Sequence, residues 1–214
     1  MSDIIAGLKE AIIGYDKKRA REMAENALES GIDPGEILDS TTEVIRKIGD
    51  EYARGNLFLP DLVGAAAAMS EAISIVEEEI EKTGKKVGKI GTVVMGTVKG
   101  DIHDIGKTMV KTFLVADNFR VIDLGVDIST AEFVAAIEKY SPEILGLSAL
   151  LTTTIAEQRK TIETLTDMGI RHKVKVIIGG AATNKEYAEE IGADGHESTA
   201  PRAPGLCRKL LGKE

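Results

Sequence analysis

The sequence has no tryptophan, a single cysteine, and aromatic residues amounting to only 4% of the chain. With one cysteine, Cys207, an internal disulfide is excluded, and its place in a C-terminal helical pattern makes it a semi-buried thiol rather than a reactive one. No apolar run approaches the roughly 20 residues that cross a bilayer, so no membrane segment is expected. Basic residues are in the minority: 27 Lys and Arg stand against 35 Asp and Glu, a net charge of -8. That balance disfavours nonspecific nucleic-acid binding, because a phosphate backbone rewards clustered cations. The opening stretch MSDIIAGLKEAIIGYDKK carries an early acid and lacks the basic, apolar and small-residue succession of a secretion signal, which points to the cytoplasm. Small molecules or proteins are left as partners.

What is present is a chain of 214 residues, 43% hydrophobic and 29% charged, long enough for two domains with cores of their own. Its pattern changes near residue 85. Before it, apolar residues recur at helical spacing, as in Ile4, Ile5, Leu8 and Ile12, or Leu62, Val63, Ala66, Met69, Ile73, Val76 and Ile80. The breaks GIDPG and GNLFLP leave four expected helices, around 3–14, 17–30, 35–53 and 60–82. The polar run EKTGKKVGK at 81–89 reads as a linker between a domain at 1–85 and one at 86–214.

Beyond the linker, short Val- and Ile-rich runs at 89–98, 119–125, 143–150 and 174–180 alternate with helix-period segments, and a fifth short strand is expected at 192–196 before a last helix at about 199–211. This is the pattern of a doubly wound five-stranded parallel sheet, flavodoxin-like, in the order 2-1-3-4-5. The fold class is therefore a helical bundle followed by an α/β domain. In that order ligands bind at the carboxyl ends of the first and third strands, where the winding reverses. Asp101, His103 and Asp104 lie at the first of those ends, Ser148 at the third, and Gly179 and Gly180 at the fourth.

A histidine with a carboxylate two residues before it can offer one ring nitrogen to a metal while the carboxylate takes the N–H of the other. Ser148 could extend the relay through its hydroxyl, and Gly179 and Gly180, lacking Cβ atoms, would let a ligand tail approach the backbone. Asp104, just before a helix, is first an N-cap candidate. His172 and His196 have no metal-ligand spacing with His103, so a bare zinc centre is not expected.

Asp101-x-His103-x-x-Gly106, then Ser148-x-Leu150, then Gly179-Gly180, in this order and at these strand ends, resembles the signature of cobalamin-binding domains. The helical stretch before them, with GNLFLPDLVGAAAAM at its last helix, is similar to the cap module of methyl-carrying corrinoid proteins and of methionine synthase. The resemblance implies cobalamin bound with its own base displaced and His103 as the axial ligand of cobalt. Asp101 would be the partner of that histidine and Ser148 the third member of the relay. Asp104, Ile105, Gly106, Leu150, Thr152, Gly179, Gly180 and Gly195 would line the cofactor, and Phe58 would be the aromatic of the cap. It further implies a carrier that cycles between Co(I) and methyl-Co(III), served by a substrate-specific methyltransferase, an acceptor methyltransferase and a reductive activation protein. Two readings stay beside it: the cobalamin-binding subunit of a mutase, which would lack the helical cap, and a cobalamin-sensing regulator, which would need a basic DNA-binding segment.

Overall fold

A computed structural model describes residues 2–83 and 89–213, which divide into two compact units: Met1–Gly88 with Ala116–Asn118, and Lys89–Val115 with Phe119–Glu214. The first unit is built from α1 (Ser2–Ile13), α2 (Lys17–Glu29), α3 (Pro34–Ala53) and α4 (Leu59–Thr83). Its boundaries follow local chemistry. The carboxylate of Asp16 accepts from Arg19 N at 3.0 Å to cap α2, and that of Asp33 accepts from Gly35 N at 2.9 Å to cap α3, with Pro34 in the first turn. The residues that α2 buries are Ala20, Ala24 and Ala27, and it packs on α4, whose inner face carries Ala65, Ala68, Met69 and Ala72.

Two expectations change at α4. By length and composition this 25-residue helix could cross a membrane, contrary to the reading that no such segment exists. Its alanines, weak in any one place, add up over the window; half of that window is buried inside the protein, as a core helix requires. The helix also continues through Thr83, whose hydroxyl donates to Glu79 O at 2.7 Å, so the first part of the 81–89 linker is helical. Residues 84–88 of that linker lie outside the described residues.

The second unit is a sheet of β1 (Thr92–Thr97), β2 (Arg120–Asp123), β3 (Ile144–Ser148), β4 (Lys175–Gly179) and β5 (Gly195–His196), all parallel, in the order β2-β1-β3-β4-β5. The helices are α5 (Ile105–Ala116), α6 (Thr130–Tyr140), α7 (Ile155–Asp167), α8 (Lys185–Glu190) and α9 (Ala203–Leu210). The last helix starts later than expected because Pro201 and Pro204 punctuate it, leaving a short 3-10 turn at Ala200–Arg202. Val94, Leu145, Leu147, Val176 and Ile178 bury one face of the sheet against Phe133, Ile137, Ile162, Leu165 and Ala188. The other face buries Val93, Met95, Ile144 and Ile177 with Leu114 of α5 and Cys207 of α9.

Alternation along the strands then determines what stands at the carboxyl edge of this second face. Residues two apart share a side, so Thr97 follows Met95, Ser148 follows Gly146, and Gly179 follows Ile177. The register sets Thr97 beside Ser148 and Ser148 beside Gly179. No side chain in that row is larger than threonine, so this end of the face carries little bulk of its own. It lies at the β1/β3 reversal, where the topology puts ligands.

Candidate functional site

Asp101 is fully buried in the turn that leaves β1, yet every contact of its carboxylate is satisfied. Oδ1 accepts from His103 N at 3.0 Å and contacts the ring Nδ1 at 2.7 Å. Oδ2 accepts from Leu150 N at 2.8 Å, Leu151 N at 3.3 Å and Thr154 Oγ1 at 2.7 Å. Burial on its own would push the carboxyl upward. The donors, led by the His103 amide and the Thr154 hydroxyl, outweigh it and hold the group well below the usual carboxylate range. Asp101 is thus an anion, and an anion can only accept, so the proton in the 2.7 Å contact sits on Nδ1. That tautomer leaves the Nε2 lone pair on a ring whose side chain is 47% exposed. A third bond, from Thr97 Oγ1 to His103 O at 3.0 Å, ties the histidine backbone to β1.

The hydroxyl that reaches Asp101 is Thr154 and not Ser148, which corrects the expected relay. Ser148 lies in the edge row described above, and its carbonyl accepts from Val98 N at 2.9 Å. Thr154 comes into play because the turn from Leu150 folds its own end over Asp101, with Thr154 N donating to Leu151 O at 3.0 Å. Replacing Thr154 with Val should lower stability by about 1.5 kcal/mol, the worth of one hydrogen bond to a charged acceptor, while Thr154→Ser should stay near the parent; urea midpoints for the two variants check this. Equal losses in both would mean that the methyl packing matters and the hydroxyl does not.

The other expected residues fall into two groups. At the carboxyl ends of β1, β2 and β3, the edge that also carries His103, stand Ile105, 66% exposed, and Leu150, 39% exposed, joined by three apolar residues not foreseen: Ile102 at 74%, Leu151 at 41% and Val126 at 37%. Such a run of exposed aliphatics along one sheet edge is a binding surface by its chemistry, since it favours a broad apolar ligand. Gly106, in the first turn of α5, faces open space, and a Cβ there would meet nothing within 4 Å. Asp104 is exposed and supplies the carbonyl that accepts from Thr108 N at 2.7 Å, an N-cap place; Thr152 is exposed in the turn before Thr154.

The glycines at the ends of β4 and β5 differ in what surrounds them. A Cβ on Gly180 would lie 1.7 Å from Ala149 O, so this glycine permits the close approach of the chain leaving β3. On Gly195 a Cβ would meet Leu206 of α9 at 2.9 Å, again an internal contact. Only Gly179 is open, with Glu197 O its nearest neighbour at 3.8 Å. In the helical unit Phe58 is 72% exposed, which excludes a buried staple, and its N–H donates to the Asp61 carboxylate at 2.7 Å. His172 is exposed and His196 contacts Thr183 Oγ1 at 3.1 Å. Among the described residues no group of three His, Cys, Asp or Glu is arranged to hold a metal ion by itself.

Two further groups of charges in the unit are paired within it. A concavity of about 610 Å³ lined by Arg171, His172, Lys175 and Asp194 lies at the opposite end of the strands, with Asp194 bonded to Arg171 at 2.6 Å and Lys175 at 3.2 Å. Lys107, also unforeseen, is buried on α5 against Asp123 at 2.5 Å.

A half-exposed histidine at an edge rich in exposed aliphatics suits a flat metal complex that brings its metal with it. The B12 binding domain family matches residues 91–203, and a second B12 binding domain family matches residues 4–77. The chain is a corrinoid protein of the B12-binding family. Trimethylamine corrinoid protein 1 of Methanosarcina acetivorans is 39% identical to it over 210 residues, 98% of this chain and 97% of that one. A corrinoid protein of Desulfitobacterium hafniense is 41% identical over 208 residues, 96% of each. Among solved structures, the methanol:cobalamin methyltransferase complex of Methanosarcina barkeri contains a chain that matches with a TM-score of 0.85 and 30% identity, covering 99% of this chain and 81% of that one. The residues of this corrinoid protein fit the cofactor on their own evidence: a half-exposed histidine whose Nδ1 is held by Asp101, exposed aliphatics along the same edge, and an edge row of small side chains with open Gly106 and Gly179.

Proposed function

We propose that this corrinoid protein carries a methyl group between two methyltransferases, with His103 as the axial ligand of cobalt. The observation that carries the reading is the His103 ring, held through Nδ1 by the buried Asp101 at 2.7 Å on a side chain that is 47% exposed. A corrinoid bound there supplies a cobalt that takes up a methyl group and gives it away. Everything else is done by the chain. His103 donates its Nε2 lone pair. Asp101, kept anionic by its donors, sets the tautomer and raises the basicity of the ring. Ile102, Ile105, Leu150 and Leu151 keep water from the ligated nitrogen, and Gly106, Ser148 and Gly179 border the space for the nucleotide tail.

A substrate-specific methyltransferase, an acceptor methyltransferase and a reductive activation protein are the partners this role needs, and the cytoplasm is its place. Relatives named trimethylamine and dimethylamine corrinoid proteins support methylated amines as the first methyl donors to try.

The test is electron paramagnetic resonance of the cobalamin-loaded protein poised as Co(II), with and without 15N-histidine. The nitrogen splitting should change from three lines to two on labelling and vanish in His103→Ala. A splitting indifferent to the label would leave the cofactor's own base on cobalt and sink the assignment.

A further inference from the structure

The carboxylate of Asp101 is fixed by its donors, but its backbone must first be put in the right place, and a residue from another connection does that. Asp127 lies between β2 and α6. Its Oδ1 accepts from Gly100 N at 2.7 Å, and its own N–H donates to Asp101 O at 3.0 Å. The two bonds bracket the Gly100–Asp101 step from one side. Asp127 pays for this position with a left-handed backbone, φ +57, a conformation that a non-glycine residue keeps only when its surroundings impose it. Those surroundings are firm: Thr97 N donates to Gly125 O at 3.0 Å and Ile128 N to Thr97 O at 2.9 Å, so the connection continues the pairing of β1 on either side of Asp127. The loop it holds needs holding, because Gly100 itself has φ +81 and a Cβ there would meet little, the nearest atom being Thr154 Cγ2 at 3.8 Å.

We infer that Asp127 is a positioning residue that locks the 98–103 turn in the form that presents His103 to cobalt, an inference that rests on the reading of His103 as the ligand. The bond is on the surface, where water competes for both groups, so its effect falls on the choice of loop conformation more than on whether the domain folds.

Two variants separate the hydrogen bond from the backbone. Asp127→Gly keeps the positive φ and deletes the acceptor; Asp127→Asn keeps an acceptor oxygen and tolerates the same φ. With cobalamin bound and cobalt as Co(II), the ratio of label-sensitive to label-insensitive nitrogen splitting should fall about tenfold in Asp127→Gly, the scale of one bond to a charged acceptor, and recover most of the way in Asp127→Asn. In the cofactor-free protein, amide exchange at His103 should quicken about as much in the glycine variant, while the thermal midpoint stays close to the parent. An unchanged splitting in Asp127→Gly overturns the proposal, as does an asparagine variant as impaired as the glycine one. If the parent itself shows no label-sensitive splitting, the ligand assignment has failed and the lock falls with it; if the parent shows it and Asp127→Gly keeps it, the lock alone is wrong.

Discussion

Alanine in place of Gly180 is expected to cost the protein a large part of its stability and weaken its hold on the cofactor. The new Cβ would lie 1.7 Å from Ala149 O, 2.6 Å from Ala149 C and 3.2 Å from Ala149 N, all backbone atoms that have no rotamer to escape into. The position also holds φ +133, which L side chains rarely adopt. Overpacking and backbone strain together should destabilise by about 4 kcal/mol, a large part of the 5–15 kcal/mol that a typical domain has at its disposal. The damage would reach the site directly. Ala149 N bonds to Gly179 O at 3.0 Å, and the next amide, Leu150 N, is one of the donors on Asp101. Urea unfolding and cobalamin titration of Gly180→Ala, with Gly179→Ala as the comparison, provide the check. The Gly179 variant meets nothing closer than 3.8 Å and should fold, so equal stability for the two would refute the packing argument.

Removal of the Asp101 carboxylate is the second large effect. Asp101→Ala would leave the amides of His103, Leu150 and Leu151 and the hydroxyl of Thr154 facing an apolar methyl, beside a ring whose tautomer nothing holds. Unsatisfied buried donors cost about 1–3 kcal/mol each when no water reaches them, and allowing for relaxation of the turn a total of about 4 kcal/mol is expected. Its pH dependence has a definite sign. The carboxyl is depressed in the folded state, so its contribution is complete above the unfolded value of about 4 and fades as acid carries the pH down toward the folded one. Parent and Asp101→Ala should therefore differ most near neutrality and begin to converge only below about pH 4. Urea midpoints across that range would show it; a gap that widened with acid would contradict the depressed carboxyl.

Much of the architecture was legible because it depends on patterns that are local. Proline and glycine punctuation located the helices of the first unit, and runs of Val and Ile bounded by turn residues located the strands of the second. Asp101 and His103 stood out for the same reason: a charged pair where a buried strand gives way to a helix has no role in a core. Thr154 was hidden because a threonine just before a helix reads as a cap, yet no cap hydrogen bond is made by its side chain; its partner is 53 residues away. Asp127 and Lys107 were hidden likewise, since each acquires its meaning from a different strand connection. Gly180 was noticed for its missing Cβ, but the contact with Ala149 that requires it was not visible. Whether a missing Cβ makes room for a ligand or for the next strand cannot be told until the strands are side by side.

The alanine seam of the helical unit has a mechanical consequence. Where Ala20, Ala24 and Ala27 meet the small residues of α4, the two backbones are separated by methyl groups that possess no torsion to adjust. A leucine-lined seam absorbs a load by exchanging rotamers; this one has no such compliance. Along these alanines the contact favours α2 and α4 moving together.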